Sequence, residues 1–244
     1  MLKECLNAAR ASGADYLLLV SPAELSSEIR NLADQVIPDP GLGLAEAINF
    51  GMKNLPDDIL YSTWIGDDDL FVDSSLQILR DKLDRNRKLS LVYGKCTYIN
   101  SVGAQIGVNQ TGQLATRILG FGPDLIPQPS SLFRLDDFER LHGLDSQYKN
   151  AFDFDFFLKL KKIGKLEYVP EMISYFRWHD DSLSVNQRWR AVKEASKVRR
   201  SHLKFPVKAF SILWEPTIAL ATFVAGKIIG TRSKLKSTSH QQSA

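Results

Sequence analysis

Short apolar runs alternate with segments of helical periodicity through the first part of the chain, and this alternation limits the possible folds most strongly. Residues 16–20 form an uninterrupted apolar run, typical of a strand buried on both faces. Residues 35–37 and 59–65 are further candidate strands, and residues 24–33 and 43–53 have helical spacing between them. The pattern predicts an α/β domain whose mostly parallel sheet is flanked by helices.

Composition excludes two broad classes of protein. The chain has 244 residues, 44% hydrophobic and 24% charged, which fits neither a disordered protein nor a polytopic membrane protein. Cys5 and Cys96 are the only cysteines and no CxxC pair exists, so we expect a reducing compartment. The first residues are charged and lack an apolar signal core, which favours a cytoplasmic location.

The chain opens on a predicted helix over residues 2–12. An α/β nucleotide-binding unit normally opens on a strand whose following loop grips the ligand. We therefore expect a fold whose first strand is missing, either because Met1 is a late start or because the strand has been lost.

Three carboxylates, Asp67, Asp68 and Asp69, directly follow the apolar strand over residues 59–65. Adjacent acids repel one another, and a bound cation removes that cost. Mg²⁺ and Mn²⁺ prefer such oxygen ligands and complete their shell with phosphates and water. On an extended backbone Asp67 and Asp69 would share one side. Alternatively, Asp69 or Asp73 simply caps the helix that follows.

Three separated motifs resemble family 2 glycosyltransferases with the GT-A fold. Residues 43–51 (GLAEAINFG), taken with WIGDDDLF, resemble that family's G-x-x-x-A-x-N-x-G helix and aspartate motif. Residues 127–160 are similar to its acceptor-side segment, in which an Asp-x-Asp pair begins a helix. YFRWH at residues 175–179, with Ser182 and Ser184, resembles its closing Y-x-R-x-H-x-x-S-x-S. The resemblance covers roughly residues 2–185.

The resemblance implies a role for each acidic candidate. Asp67 and Asp69 would hold the metal and the ribose-diphosphate, with Asp69 the more direct ligand. Asp153 would be the general base, and its phenylalanine neighbours would raise its pKa by desolvation. A helix cap is the alternative for Asp153. His179 would be a third metal ligand or a diphosphate contact, although a lone histidine is more often structural.

Three further residues are candidates for donor binding. Glu46 and Asn49 lie on one predicted helix face and would contact the nucleotide, or else pair locally. Arg177 would contact the nucleotide-sugar donor, or else pack or pair with an acid. Against this, the strand ending at Val20-Ser21-Pro22 lacks the terminal acids that the family uses to hold base and ribose, with only Glu24 nearby.

The implied activity is metal-assisted transfer of a sugar, with inversion, from a UDP-, GDP- or dTDP-linked donor to a glycan or lipid-linked acceptor. Two alternatives remain. A sugar nucleotidyltransferase would need a glycine-rich basic loop near the N-terminus, which is not seen in the sequence. A non-catalytic glycan-binding or scaffold relative would keep the fold without the reaction.

The C-terminal part has a different composition. Basic residues crowd positions 188–208, and a mostly apolar segment occupies 209–229. We therefore divide the chain into a GT-A-like domain (1–185), a basic and apolar helical extension (186–232) and a disordered tail (233–244). The extension favours a helix lying on an anionic membrane at the inner face of the cell membrane, with a helix packed on the domain or a true span as alternatives. Nucleic-acid binding is not expected, since interleaved aromatic residues are lacking.

Overall fold

Helices and strands follow one another along the chain in the order that the apolar pattern predicts. The fold was obtained as a computed structural model, which describes residues 1–178 and 188–241. The helices are α1 (Leu2–Ala11), α2 (Ser27–Arg30), α3 (Leu44–Lys53), α4 (Ser75–Arg85), α5 (Gln113–Ile118), α6 (Leu135–Arg140), α7 (Phe152–Ile163), α8 (Arg188–His202), α9 (Val207–Phe210) and α10 (Glu215–Gln241). The strands are β1 (Leu18–Ser21), β2 (Gln35–Pro38), β3 (Tyr61–Ser62), β4 (Leu70–Phe71), β5 (Leu89–Ile99), β6 (Gln105–Asn109), β7 (Ser131–Arg134) and β8 (Lys165–Arg177).

The strands form two separate sheets. β1 and β2 pair in parallel as a two-stranded sheet. The larger sheet has six strands, with β3, β7, β5, β8 and β4 in that order and β6 paired to β5. Its only parallel pair among the described strands is β5–β8, so this sheet is mixed rather than mostly parallel. The difference arises because β3, β4, β6 and β7 each run antiparallel to the strand with which they pair.

Two apolar clusters cover opposite faces of the larger sheet. Side chains alternate along β5, so that Leu91 and Tyr93 face one cluster and Val92 faces the other. Helices α3, α6 and α7 cover the first face, where Phe133, Phe138 and Phe156 make close aromatic contacts. Helices α1 and α4 cover the second face. The sheet is therefore buried on both sides, and residues 89–93 at the start of β5 are all buried.

Helix α8 is fixed to the sheet domain by buried polar contacts. The Arg199 guanidinium donates to Glu215 at 2.7 and 2.8 Å and to the carbonyl of Gly122 at 2.6 Å. The His202 Nε2 lies 2.7 Å from Asp155 Oδ1 on α7. Both basic residues belong to the basic stretch, yet they are used for internal packing. Composition alone cannot separate such residues from surface cations.

Helix α10 lies across the domain edge. Its first residue, Glu215, is bound to Arg199 on α8, and farther along Ser233 donates to the carbonyl of Trp178 at 3.3 Å. The helix extends to Gln241, into the residues for which the composition predicts a disordered tail. Within the described ranges no single helix is long and apolar enough to cross a membrane. Val207–Leu213 and Glu215–Ser233, which are bent by 56° relative to each other, reach that length and apolarity only when they are taken together.

We predict that Arg199→Ala lowers the free energy of unfolding by about 3–5 kcal/mol, because Glu215 would remain buried without its cation. Urea denaturation followed by circular dichroism measures this change. The matched control is Arg85→Ala, which removes an exposed pair with Asp81 at 3.7 Å and should cost at most about 0.5 kcal/mol. Equal losses for the two variants would contradict a buried anchoring role for Arg199.

Candidate functional site

The three adjacent carboxylates form a tight turn between β3 and β4. The Asp69 N–H donates to the carbonyl of Gly66 at 3.3 Å, which closes the turn. Asp67 is exposed, Asp68 is half-buried and Asp69 is buried. The extended backbone predicted for this segment is therefore absent, and Asp67 and Asp69 differ in their surroundings.

Gly66 allows two of the carboxylates to fold back over the turn. A Cβ atom placed on Gly66 would lie 2.7 Å from Asp68 Oδ1 and 3.5 Å from Asp69 Oδ2. A side chain at this position would displace Asp68. The pair that approaches Gly66 is thus Asp68 with Asp69, whereas the sequence favours Asp67 with Asp69.

Asp69 is held at the carboxyl end of β8. Its Oδ1 accepts the Arg177 backbone N–H at 2.7 Å, and the Arg177 Nε donates to the Asp68 carbonyl at 2.9 Å. The rest of the guanidinium contacts the carbonyls of Asn100 and Ser101, and its Nη2 lies 3.5 Å from Glu4. Arg177 therefore joins the acidic turn, the end of β5 and helix α1.

Burial determines the protonation of Asp69. Desolvation raises the pKa of this carboxyl to about 7, and the hydrogen bond from the Arg177 backbone opposes the rise. The charges of Asp68 and Asp67 raise it further. A divalent cation would remove this cost, because it would neutralise carboxylates that otherwise repel one another.

Trp64 connects the acidic turn to helix α7. Its indole ring lies 6.4 Å from the ring of Phe152 and 6.2 Å from that of Phe156, measured between centroids. Gln128 donates to the Trp64 carbonyl at 2.7 Å. Asp153 directly follows Phe152 in the first turn of α7. The packing of Trp64 thus joins the segment before the acidic turn to the segment that carries Asp153.

Asp153 does not cap α7 in the usual way. The residue before the helix is Ala151, and the Asp153 Oδ1 accepts the N–H of the adjacent Phe154 at 2.8 Å. Burial raises the pKa of Asp153 to about 6, and the charge of Glu194 raises it further. A carboxylate with such a pKa is suited to accept a proton near neutral pH.

Asp124, in the loop after α5, is a second carboxyl beside Asp153. Burial raises the pKa of Asp124 well above its ordinary value, and the charge of Asp153 acts in the same direction. The Asp124 Oδ1 accepts the N–H of Ile126 at 3.1 Å. Two interacting carboxyls titrate as a pair, so the two residues together determine the proton affinity of this part of the site.

Glu194 of α8 holds the chain that enters α7. Its Oε1 accepts the Lys149 N–H at 2.9 Å, and its Oε2 accepts the N–H groups of Asn150 and Ala151. A carboxylate at a helix N-terminus also interacts favourably with the helix dipole. Glu194 therefore fixes the start of the helix on which Asp153 lies.

The two predicted nucleotide contacts on α3 have different environments. Asn49 donates to the Leu144 carbonyl at 2.9 Å and accepts the Leu144 N–H at 2.8 Å. Gly143, at φ +74°, lets this turn approach, since an added Cβ would lie 2.6 Å from Asn49 Oδ1. Asn49 thus joins α3 to the turn after α6, while Glu46 lies half-buried on the same helix.

Two of the remaining candidate residues, Arg177 and Asp155, are engaged in internal contacts. Arg177 is buried and makes internal contacts, which matches the packing alternative rather than a donor contact. His179 lies outside the described residues. Asp155 is bound to His202 and to Lys159 at 2.6 Å, which lowers its pKa against the effect of burial. Asp155 is therefore a structural residue.

The acidic turn fits a divalent cation only in part. Among the described residues, no group of three or more histidine, cysteine, aspartate and glutamate side chains could hold a metal ion. Mg²⁺ is commonly bound through one or two carboxylates, with phosphates and water completing the shell. The turn, with its buried Asp69 and exposed Asp67, is compatible with such a site once a diphosphate is present.

An open cleft of about 560 Å³ has Arg177 in its wall. It is lined by Glu4, Leu70 and Tyr175 together with the loop over residues 101–103. Asp153 does not line it. The cleft therefore adjoins the acidic turn without joining the two groups of carboxylates.

Three residues of the candidate site are absent from the sequence-based prediction. The sequence shows Trp64 as an aromatic residue shortly before the acidic turn, but it does not show that the ring packs against α7. Asp124 and Glu194 gave no local signal, because they approach Asp153 only through the packing of α8 and of the loop after α5. A single acid within a basic stretch was the one visible sign for Glu194.

Two solved structures are similar to this fold. Residues 1–349 of TarS from S. aureus match with a TM-score of 0.57 and 14% identity, covering 92% of this chain and 67% of that one. The mannosyltransferase PcManGT from Pyrobaculum calidifontis, in complex with GDP-Man and Mn²⁺, matches with a TM-score of 0.63 and 14% identity, covering 99% of this chain and 76% of that one. No family model and no curated protein sequence matches. The predicted GT-A-like α/β fold is thereby confirmed.

We predict that Asn49→Ala lowers the free energy of unfolding by about 1–3 kcal/mol, because the backbone N–H and carbonyl of Leu144 lose their partners. Thermal and urea unfolding measure the loss. Asn54→Ala is the control, since Asn54 makes a single exposed hydrogen bond to the Phe50 carbonyl and should cost less. An Asn49→Ala variant as stable as wild type would contradict this structural role and favour the predicted nucleotide contact.

Proposed function

We propose that this chain is a glycosyltransferase that moves a sugar from a nucleotide-diphosphate donor to an acceptor hydroxyl. The observation that supports this most is the arrangement of buried carboxyls. Asp69 is fixed in a turn at the end of β8, and the ring of Trp64 packs against the start of α7, where Asp153 lies beside Asp124. The GT-A-like fold and its similarity to a mannosyltransferase with bound GDP-Man support the same class of donor.

The donor side of the site would use the acidic turn. Asp67 and Asp69 are the residues that would hold Mg²⁺ or Mn²⁺, which would supply Lewis-acid stabilisation of the departing diphosphate. The Mn²⁺ in the similar mannosyltransferase supports a divalent cation here. Arg177 positions the turn through its contacts with Asp69 and Asp68. The candidate donors are UDP-, GDP- and dTDP-linked sugars.

The acceptor side would use Asp153. Its carboxylate accepts the proton of the acceptor hydroxyl while that oxygen bonds to the anomeric carbon and the bond to the diphosphate breaks. A single displacement of this kind inverts the configuration at the anomeric carbon. The acceptor is a glycan or a lipid-linked sugar, and the family 2 resemblance is consistent with either.

A non-catalytic glycan-binding relative is the second candidate function. Asn49 and Arg177, both predicted to contact the donor, are engaged in internal hydrogen bonds, and this observation favours it. The two functions differ in turnover. Donor hydrolysis with a panel of UDP-, GDP- and dTDP-sugars, with Mg²⁺ or Mn²⁺ and with chelator, distinguishes them.

We predict that Asp69→Asn lowers metal-dependent donor turnover roughly a hundredfold or more, since Lewis-acid stabilisation contributes several kcal/mol to the barrier. Asp67→Asn should lower turnover as well, because Asp67 is the second proposed metal ligand. Asp73→Asn, which removes an exposed carboxylate between β4 and α4, outside the acidic turn, is the control and should leave the rate unchanged. Absence of turnover and of metal binding in the wild-type chain with every donor would eliminate the enzyme proposal.

We predict that transfer requires ionised Asp153, so the rate should fall as the pH drops through about 6, the pKa to which burial raises this carboxyl. Glu194→Gln keeps a hydrogen-bond acceptor but removes a nearby negative charge. The acidic limb of the kcat profile should therefore move to lower pH, because the charge of Glu194 raises the pKa of Asp153.

The control for this profile is Glu139→Gln on α6, where the side chain is exposed. Its acidic limb should coincide with that of wild type. Asp153→Asn should lower the rate by about 10²–10⁴ and leave donor binding intact. If Asp153→Asn retains the wild-type profile, Asp153 is not the base.

A further inference from the structure

The C-terminal helices expose a continuous series of apolar side chains. In the segment that leads into α10, Phe205 is 86% exposed and Leu213 is 74% exposed, and Phe210 and Ile212 lie between them, also exposed. Along α10, Leu220, Val224 and Ile228 are exposed at intervals of four residues. This spacing places the three side chains on one face of the helix. We call the exposed residues of 205–213 and of this helix face the apolar ridge.

Side chains outside this apolar face attach α10 to the domain. Glu215 is bound by Arg199, and the ring of Phe223 packs against that of Trp189 on α8 with centroids 5.7 Å apart. Ser233 contacts the carbonyl of Trp178. The apolar ridge is therefore the outward face of a helix that is anchored at its first residue and near Ser233.

The exposed charges of this region are basic. Lys204 precedes the apolar residues that lead into α10, Lys208 lies among them, and Lys227 and Arg232 follow on the helix itself. The acids between residues 188 and 233 are Glu194 and Glu215, and both are bound to internal partners. The surface therefore presents positive charge together with apolar side chains.

A shallow groove lies on the outward face of α10. It measures about 310 Å³ and is lined by Val224, Ile228 and Thr231, with Lys227 and Arg232 at its side. Aliphatic side chains next to two cations match the border between acyl chains and anionic headgroups in a bilayer.

We propose that the apolar ridge docks on an anionic lipid bilayer, with α10 lying along the membrane surface. The charge complementarity of Lys204, Lys208, Lys227 and Arg232 to anionic headgroups supports this occupant over a neutral apolar partner. The side chains of Phe205, Phe210 and Leu213 enter the interface, and the inner face of the helix keeps its contacts with the domain. The nucleotide-sugar donor plays no part in this docking. The membrane proposal can therefore be tested independently of the proposed transferase activity.

The experiment is co-sedimentation of the full chain with vesicles of phosphatidylcholine alone and with vesicles that also contain phosphatidylglycerol. We expect binding to the anionic vesicles only, with loss at high salt. The variant L220S/V224S/I228S should bind at least roughly a hundredfold more weakly, since three apolar side chains no longer enter the interface. The variant K204Q/K208Q should bind about thirtyfold more weakly.

The matched control is K53Q/K162Q, which removes two exposed lysines outside the C-terminal helices and should bind as wild type does. Circular dichroism melts establish that each variant is folded, and F210S/L213S tests the ridge outside α10. Wild-type-like binding by the serine variants overturns the proposal. The proposal is also overturned if the ridge binds a second copy of the chain instead. In that case analytical ultracentrifugation would show a dimer that the serine variants dissociate, and the wild-type chain would not bind vesicles.

Discussion

The contact between Asp69 and the end of β8 is the interaction on which the candidate site depends. A buried carboxyl is costly unless hydrogen bonds compensate it, and here the Arg177 backbone N–H provides one at 2.7 Å. The guanidinium of the same residue extends to carbonyls at the end of β5 and to Glu4 on α1. The turn closes locally around Gly66, and its position in the fold is set by the long-range contacts of Arg177.

The other half of the site depends on the C-terminal region. Glu194 satisfies backbone N–H groups at the start of α7, and its charge acts on Asp153. Helix α8, which carries Glu194, is held in place by Arg199 and His202 through their buried contacts to Glu215 and Asp155. The extension that composition separates from the domain is thus continuous with it at the site. A change in how α8 packs would alter both the geometry and the proton affinity of Asp153.

Local pattern predicted the fold class, and it failed where distant pairing decides. The apolar run before Asp67 contains β3, as predicted, but the extended backbone expected for the three acids is wrong, because they form a turn. Sequence could not reveal that Asn49 binds Leu144, 95 residues away, because the helix motif around it is equally suited to a ligand contact. It also could not reveal the mixed strand directions, since β3 and β4 are two residues long. Arg199 was concealed among surface cations of the same charge.

The separation of β1 and β2 from the larger sheet has a consequence for cooperativity. A two-stranded sheet is marginal alone, and this one is supported by α3, where Gly51 approaches Val20 closely enough that an added Cβ would lie 3.1 Å from it. β5, by contrast, is paired along both edges. We therefore expect the amides of β1 and β2 to exchange through a local opening that costs less free energy than global unfolding, and those of β5 to exchange last.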